Sequence, residues 1–184
     1  MKLSKKTEEK LKTAVIKYLK KEGPSFDIPH TKAAVYYMKK LLKEEKGNEK
    51  ILVSTMYLHD VGYYRLIKNN KNLEKRLKAK KRHMKRGAKL AKKILKKIGG
   101  FSKDEIKRIS YLVKTHDILE RKRGTDEQLV FETDSLAMID KKRVPGTLSK
   151  KEYKRFLEIF KRKRLPDFKT KSGKRFLNNF LKTD

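Results

Sequence analysis

The sequence lacks cysteine and has little proline, glycine or histidine: its 184 residues include no Cys, 4 Pro, 9 Gly and 4 His. The absence of cysteine excludes disulfide scaffolds, thiolate–zinc sites and cysteine nucleophiles. The apolar runs are only a few residues long, which excludes a membrane-spanning helix. The residues after Met1 contain no apolar stretch of the kind that a secretory signal needs. We therefore expect a soluble, cytoplasmic protein.

Acidic residues are scarce relative to basic ones. The chain has 53 Lys and Arg against 22 Asp and Glu, a formal net charge of +31. Such a charge favours anionic partners, including nucleotides and nucleic acid, although a lysine-rich proteome produces the same excess. The densest basic run, Lys78 to Lys97, contains no Phe or Tyr on which bases could stack. Any nucleic-acid binding by this run should therefore be non-specific and salt-sensitive.

Helical periodicity runs through most of the sequence, and Gly and Pro separate the periodic segments. Two capping boxes mark helix starts, at Ser102–Glu105 and Ser149–Glu152. No segment alternates as a strand would, so we expect an all-α, single-domain helical bundle over residues 1–184. The expected helices cover about 7–21, 30–45, 49–59, 73–98, 103–117, 126–140, 150–164 and 174–181, with a loop over 24–29 and breaks at Gly23-Pro24 and Asn69-Asn70.

All four histidines lie at helical spacing from apolar residues: His30, His59, His83 and His116. A single histidine on an apolar face is usually a core residue satisfied by a hydrogen bond. The burial of four imidazoles in one core, however, needs a nearby charge that offsets the cost of removing these polar rings from water. A metal ion supplies that charge, because imidazole is the commonest metal ligand in proteins.

Two carboxylates also lie on the apolar side of the predicted helices. Asp60 follows His59 directly, and Asp134 lies one helical turn beyond Val130 and one before Met138. A carboxylate on an apolar stripe is costly unless it is paired or bound to a metal. Imidazole and carboxylate ligands together suit Fe, Mn, Zn, Co or Ni and do not select among them.

These residues, in this order, resemble the HD-domain superfamily, whose pattern is His, then His-Asp, then Asp. The segment from Tyr57 to Gly62 resembles the family's signature turn, in which a helix ends in the ligand pair. The segments Arg82–Ala91 and Thr115–Asp117 resemble those that supply two further histidines in the two-metal branch. The resemblance covers about residues 26–140. It leaves about 141–184 as a C-terminal helical extension, which we expect to act as a lid or brace on the bundle.

The resemblance implies a metal site in the core of the bundle. One metal would be held by His30, His59, Asp60 and Asp134. A second would be held by His83 and His116, with Asp60 bridging the two and orienting the nucleophile as the catalytic residue. The implied cofactors are one or two divalent ions of Fe, Mn, Co, Ni or Zn. The implied activity is hydrolysis of a phosphate ester of a nucleotide or related small molecule, as a phosphomonoesterase or phosphodiesterase, by a metal-activated hydroxide.

Many relatives carry a lysine after the His-Asp-x-Gly turn, where this chain has Tyr63-Tyr64-Arg65. We expect Arg65 to bind the substrate phosphate, since a guanidinium forks onto phosphate well; the alternative is an ordinary surface charge. Similar proteins use the same ligands in a di-iron centre that oxidises small polar or phosphonate substrates, so an oxygenase stays open. A basic nucleic-acid-binding protein with a structural metal site is the third alternative.

A second basic run, Lys161 to Arg164, ends the seventh expected helix. We expect it to be the solvated end of an amphipathic helix, because basic residues at a helix C-terminus suit the helix dipole. A localisation signal or an RNA contact is the alternative interpretation.

Overall fold

The computed structural model describes residues 2–22, 27–66, 73–119, 121–146 and 148–181, and contains no strand within these ranges. The predicted all-α fold is confirmed. The helices are α1 (Lys5–Glu22), α2 (Asp27–Leu41), α3 (Glu49–Leu58), α4 (Leu73–Ile98), α5 (Lys103–Thr115), α6 (Thr125–Ile139), α7 (Lys150–Lys163) and α8 (Lys171–Leu181). Short 3₁₀ turns at Val61–Tyr63 and Leu165–Asp167 follow α3 and α7.

Helix starts follow the capping signals where the sequence carries them. Both predicted capping boxes are present, so α5 begins after Ser102 and α7 after Ser149. The prediction of a loop over 24–29 is wrong for 27–29: α2 begins at Asp27, and Pro29 lies in its first turn, where a missing N–H is harmless. The predicted breaks at Gly23-Pro24 and Asn69-Asn70 lie outside the described residues.

Two predicted helix boundaries also differ from the observed ones. Helix α2 ends at Leu41 instead of about residue 45, because the chain then continues in turns in which the N–H groups of both Glu44 and Glu45 donate to the Leu41 carbonyl. Helix α8 begins at Lys171, three residues before the predicted start.

The centre of the bundle is built by α2, α3, α5 and α6, which contact one another along their apolar faces. Helix α4 lies along α5, and α1 packs against α3 and α4. The largest fully buried side chains include those of Met38, Met56, Leu112 and Phe131. None of the described helices has the length and apolar content that crossing a membrane requires.

Helix α4 and the turn after α3 meet at two glycines. A Cβ on Gly62 would overlap the carbonyl oxygen of His83 and lie 2.6 Å from the amide nitrogen of Gly87. Gly87 in turn lies against the His59 carbonyl and the Val113 side chain. This close approach of two backbones requires glycine, and it brings the His59-Asp60 pair to the face of α4 that carries His83.

A buried carboxylate anchors the C-terminal segment to the core. Glu132 of α6 accepts hydrogen bonds from the backbone N–H groups of Lys169 (2.6 Å) and Thr170 (3.0 Å), just before α8 begins. It also accepts hydrogen bonds from the Thr170 hydroxyl and the Gln128 amide. An anion at a helix N-terminus is favourable because the orphan N–H groups and the helix dipole both attract it.

Candidate metal centre

The six residues predicted as metal ligands lie together in the middle of the bundle, and all are buried. His30 comes from the first turn of α2 and His83 from the middle of α4, whereas His59 and His116 occupy the C-cap positions of α3 and α5. Asp60 follows α3 directly, and Asp134 lies in α6. Helices separated in sequence thus contribute one or two ligand-type side chains each.

Asp60 lies at the centre of this cluster, and its two carboxylate oxygens face different pairs of histidines. Its Oδ2 lies 3.5 Å from His30 Nε2 and 3.3 Å from His59 Nε2. Its Oδ1 lies 3.3 Å from His83 Nε2 and 3.7 Å from His116 Nε2. The cluster therefore has two halves with Asp60 as their shared member.

Asp134 belongs to the first half. Its Oδ1 lies 3.0 Å from His30 Nε2 and 3.5 Å from His59 Nε2. The first half thus contains two imidazoles and two carboxylates, and the second half contains His83, His116 and the shared Asp60. Two groups, His30–His59–Asp60 and Asp60–His83–His116, each have ligand atoms within 4.8 Å of one another.

Hydrogen bonds on the outer side of two rings fix their tautomers. The Nδ1–H of His59 donates to the Met56 carbonyl and the Nδ1–H of His116 to the Val113 carbonyl, each at 2.8 Å. A carbonyl oxygen can only accept, so each Nδ1 carries a proton, and Nε2 is the ring nitrogen that faces Asp60. Backbone carbonyls orient metal-binding histidines in this way.

The Nε2 atoms also approach one another closely. Those of His30 and His59 are 3.0 Å apart, and those of His83 and His116 are 3.3 Å apart. Two ring nitrogens at this distance repel unless a proton or a metal cation lies between them, and carboxylate oxygens complete the donor set on the same side. The residues present therefore fit divalent metal ions of the transition series.

The charges of the cluster alter its acid–base behaviour. Burial on its own would raise the pKa values of Asp60 and Asp134, but the neighbouring histidines, and Arg164 beside Asp134, hold both pKa values well below the usual range. Burial would lower the pKa of His59, but the two carboxylates raise it well above its ordinary value. Burial lowers the pKa of His83, which stays neutral and able to coordinate.

Tyr63 covers one face of the cluster, and sequence reasoning gave it no function. Its ring stacks on the His83 imidazole, with centroids 4.0 Å apart and planes 11° from parallel. Burial raises the pKa of its hydroxyl well above the ordinary value, so the phenol remains protonated. Tyr63 therefore holds the His83 ring in orientation and limits access of water to it.

The C-terminal segment supplies a further charged group that the sequence prediction placed in solvent. The expectation that Lys161 to Arg164 is a solvated run is right for Lys161–Lys163, which are exposed, and wrong for Arg164, which is buried. Arg164 Nη1 donates to Asp134 Oδ2 at 3.1 Å and to Ser135 Oγ at 2.6 Å, and its Nη2 donates to Asp117. The sequence contained a signal for this burial, because Arg164 follows Phe160 by four residues and so lies on the inward face of α7.

Arg65, predicted to bind substrate, is exposed, with its guanidinium carbon 5.1 Å from the centre of the Tyr64 ring. Its φ of 55° lies in the left-handed region. A substrate contact by Arg65 stays a prediction.

Comparison with models of protein families matches residues 28–139 to the HD domain. The matched range begins just before His30 and ends just after Asp134, so it contains the whole cluster. No match was found among curated proteins or among solved structures.

Proposed function

The chain belongs to the HD-domain family, a family of metal-dependent phosphohydrolases, and from that premise we propose that it hydrolyses a phosphate ester of a nucleotide or a related small molecule. The observation that carries the proposal is the position of Asp60, whose two oxygens face two separate pairs of buried histidines. A shared carboxylate between two imidazole pairs is the arrangement that a two-metal site needs.

In this proposal His30, His59, Asp60 and Asp134 hold one metal ion. His83 and His116 hold the other, with Asp60 between them. Metal ions at such ligands lower the pKa of bound water and neutralise charge on a phosphoryl group. The protein's own residues fix the two halves relative to each other: Asp60 sets their separation, and the carbonyl-bound Nδ1–H groups keep His59 and His116 aimed at it.

The test is a phosphatase assay on the purified chain, as isolated and after reconstitution with Mn²⁺, Fe²⁺, Co²⁺ or Ni²⁺. The substrates are nucleoside monophosphates, nucleoside triphosphates, cyclic dinucleotides and bis(p-nitrophenyl) phosphate. We expect release of phosphate or of nitrophenol with at least one metal. Turnover by no combination would overturn the proposal.

A matched pair of variants links activity to the cluster. Asp60→Asn should lower kcat by at least about a hundredfold, since electrostatic groups at the reacting centre contribute factors of this size. Asp104→Asn removes the same charge from the exposed first turn of α5 and should leave kcat unchanged. Oxygen consumption that depends on iron and on a phosphonate or polyol substrate would instead favour the oxygenase.

A second candidate function rests on the outer face of α4. This face carries exposed lysines at helical spacing over about 27 Å, at 1.5 Å per residue: Lys78, Lys81, Lys85, Lys89, Lys92 and Lys96. A row of this length can follow the phosphates of a nucleic-acid strand. We therefore propose sequence-independent binding of nucleic acid along α4, independent of the metal cluster.

Affinity for a 20-nucleotide single-stranded RNA, measured over a range of salt concentrations, tests this second function. Replacing Lys85, Lys89 and Lys92 by Glu should weaken binding and reduce the salt slope. The matched control replaces Lys10, Lys17 and Lys20, exposed on α1, with the same change in charge. Equal losses in the two triple variants would show that net charge alone, and not the α4 row, attracts RNA.

A further inference from the structure

A continuous chain of ion pairs leads from the metal-ligand cluster to the protein surface. It begins at Asp134, passes to Arg164 at 3.1 Å, and continues from Arg164 to Asp117. It ends at Lys80, whose ammonium lies 2.8 Å from Asp117 Oδ2. Residues from α6, α7, the end of α5 and α4 thus form one charged path beside the histidines.

Exposure changes along this path. The side chains of Arg164 and Asp117 are 5% and 3% exposed, whereas that of Lys80 is 25% exposed. Lys80 is therefore the member of the path that solvent, and a ligand arriving from solvent, can reach. It precedes His83 by three residues on α4, which places both side chains on the same face of that helix.

The two cations in the path differ in their freedom to meet a ligand. Arg164 already donates to Asp134, Asp117 and Ser135, and turning it away would remove the buried cation from between two buried carboxylates. Lys80 has a flexible stem and three N–H donors, and Asp117 accepts from it. Lys80 can therefore swing its ammonium to an incoming anion, while Arg164 stays in place as a positioning residue.

The net charge around the cluster determines whether that ligand is an anion or a cation. With the histidines neutral, as metal coordination requires, Asp60, Asp117 and Asp134 are negative while Arg164 and Lys80 are positive, so these groups carry one negative charge in excess. A single divalent cation held by the cluster reverses that sign. The site with its metal then attracts an anion, and an ammonium at its edge is a common binding group for phosphate.

We propose that Lys80 binds the phosphoryl group of the substrate, and that Asp117 holds the Lys80 ammonium at the edge of the cluster until the substrate arrives. This inference rests on the proposed phosphohydrolase function. Lys80 thus makes the phosphate contact that the sequence analysis predicted for Arg65. The ligand is a terminal or monoester phosphate, because such a dianion complements a site that holds a metal cation and has a lysine at its edge.

Binding of inorganic phosphate to the full-length protein, carrying the metal it holds as isolated, tests the proposal by titration calorimetry. Lys80→Gln should weaken phosphate binding at least about tenfold, with metal content and melting temperature unchanged. Lys80→Arg should restore binding to within about threefold, because the charge is kept. The matched control, Lys93→Gln, removes an exposed charge from a position of α4 outside the proposed nucleic-acid-binding row and should change binding less than about twofold.

The outcomes separate this inference from the proposed function. If substrates are turned over but Lys80→Gln leaves both the phosphate affinity and KM unchanged, the function stands and the assignment of Lys80 is wrong. If no substrate is turned over but Lys80→Gln alone abolishes phosphate binding, the anion subsite stands and the hydrolase proposal fails. Equal losses in Lys80→Gln and Lys93→Gln, loss in Arg65→Gln only, or no phosphate binding by the wild type would each overturn the inference.

Discussion

Arg164 and Asp134 form a buried ion pair in which Nη1 of the arginine lies 3.1 Å from Oδ2 of the aspartate. The other oxygen of Asp134, Oδ1, lies 3.0 Å from His30 Nε2. Arg164 therefore determines which oxygen of Asp134 faces the histidines. The C-terminal segment, outside the range matched to the HD domain, thus takes part in ordering the site.

Replacing Arg164 should weaken metal binding. Partners that orient a metal ligand typically contribute 10- to 100-fold to affinity, so we expect a loss of about this size in Arg164→Lys, which keeps the charge but loses the forked geometry. Competition with a coloured chelator measures the metal affinity. Arg164→Ala should in addition lower the free energy of unfolding by about 3–5 kcal/mol, since it removes the buried cation that lies between two buried carboxylates.

Arg162→Lys serves as the control, because Arg162 lies on the same helix and is exposed. It should bind metal as the wild type does. Unchanged metal affinity in Arg164→Lys would show that Asp134 needs no orienting partner and that the C-terminal segment does not order the site.

Gly62→Ala tests the close contact between the turn after α3 and helix α4. The added methyl group would overlap the backbone carbonyl of His83, which cannot move without shifting α4. We expect the free energy of unfolding to fall by about 3 kcal/mol or more, at the upper end of the cost of overpacking. Chemical denaturation measures it.

Gly146→Ala is the matched glycine substitution, since a Cβ there would have no atom within 4 Å. Its stability should stay within about 0.5 kcal/mol of the wild type, as for most surface changes. Equal effects of the two substitutions would mean that the contact between Gly62 and α4 is not as close as described.

The pH dependence of stability should report on Asp140, a buried carboxylate outside the cluster of proposed metal ligands. Tyr37 donates to its Oδ2 at 2.6 Å and Arg143 donates at 2.8 Å. Burial raises the pKa of Asp140, but these hydrogen bonds outweigh burial and lower it below the ordinary value. A carboxyl group with a lowered pKa in the folded state stabilises the protein above its unfolded pKa, and that stability is lost as pH falls.

Asp140→Asn should therefore destabilise the protein at pH 7 by about 1.5–3 kcal/mol, the range for hydrogen bonds to a charged group. The difference from the wild type should shrink as the pH falls below about 3.9, the pKa of an unfolded aspartate. Urea denaturation at several pH values measures this difference. A difference that stays constant between pH 7 and pH 3 would contradict the assignment, and Asp104→Asn, at an exposed site, provides the baseline.

The grouping of four histidines with Asp60 and Asp134 could be predicted from the sequence because each of these residues has a recognisable local context. His59, His83 and His116 are three or four residues from apolar residues, and this spacing places the side chains on one face of a helix. The His59-Asp60 pair followed by Gly62 added the family pattern. Helical spacing alone did not assign His30 and His83 to separate halves of the cluster; the resemblance did.

The charged path outside the cluster could not be predicted in the same way. Lys80 is one of many lysines on α4, and its spacing from His83 does not show that Asp117, at the end of α5, pairs with it. Arg164 contacts Asp117 across 47 residues of sequence. That contact depends on the path of the chain after α6, which no local pattern encodes.

The metal content per chain of untagged protein, measured by elemental analysis for the wild type and for His83→Ala, shows directly whether Asp60 joins two metal-binding halves. We expect about two metal ions per wild-type chain, the number that a shared carboxylate between imidazole pairs accommodates, and about one in His83→Ala. One ion that His83→Ala does not affect would contradict the second half of the site. No metal after reconstitution would contradict both the metal site and the proposed hydrolase function.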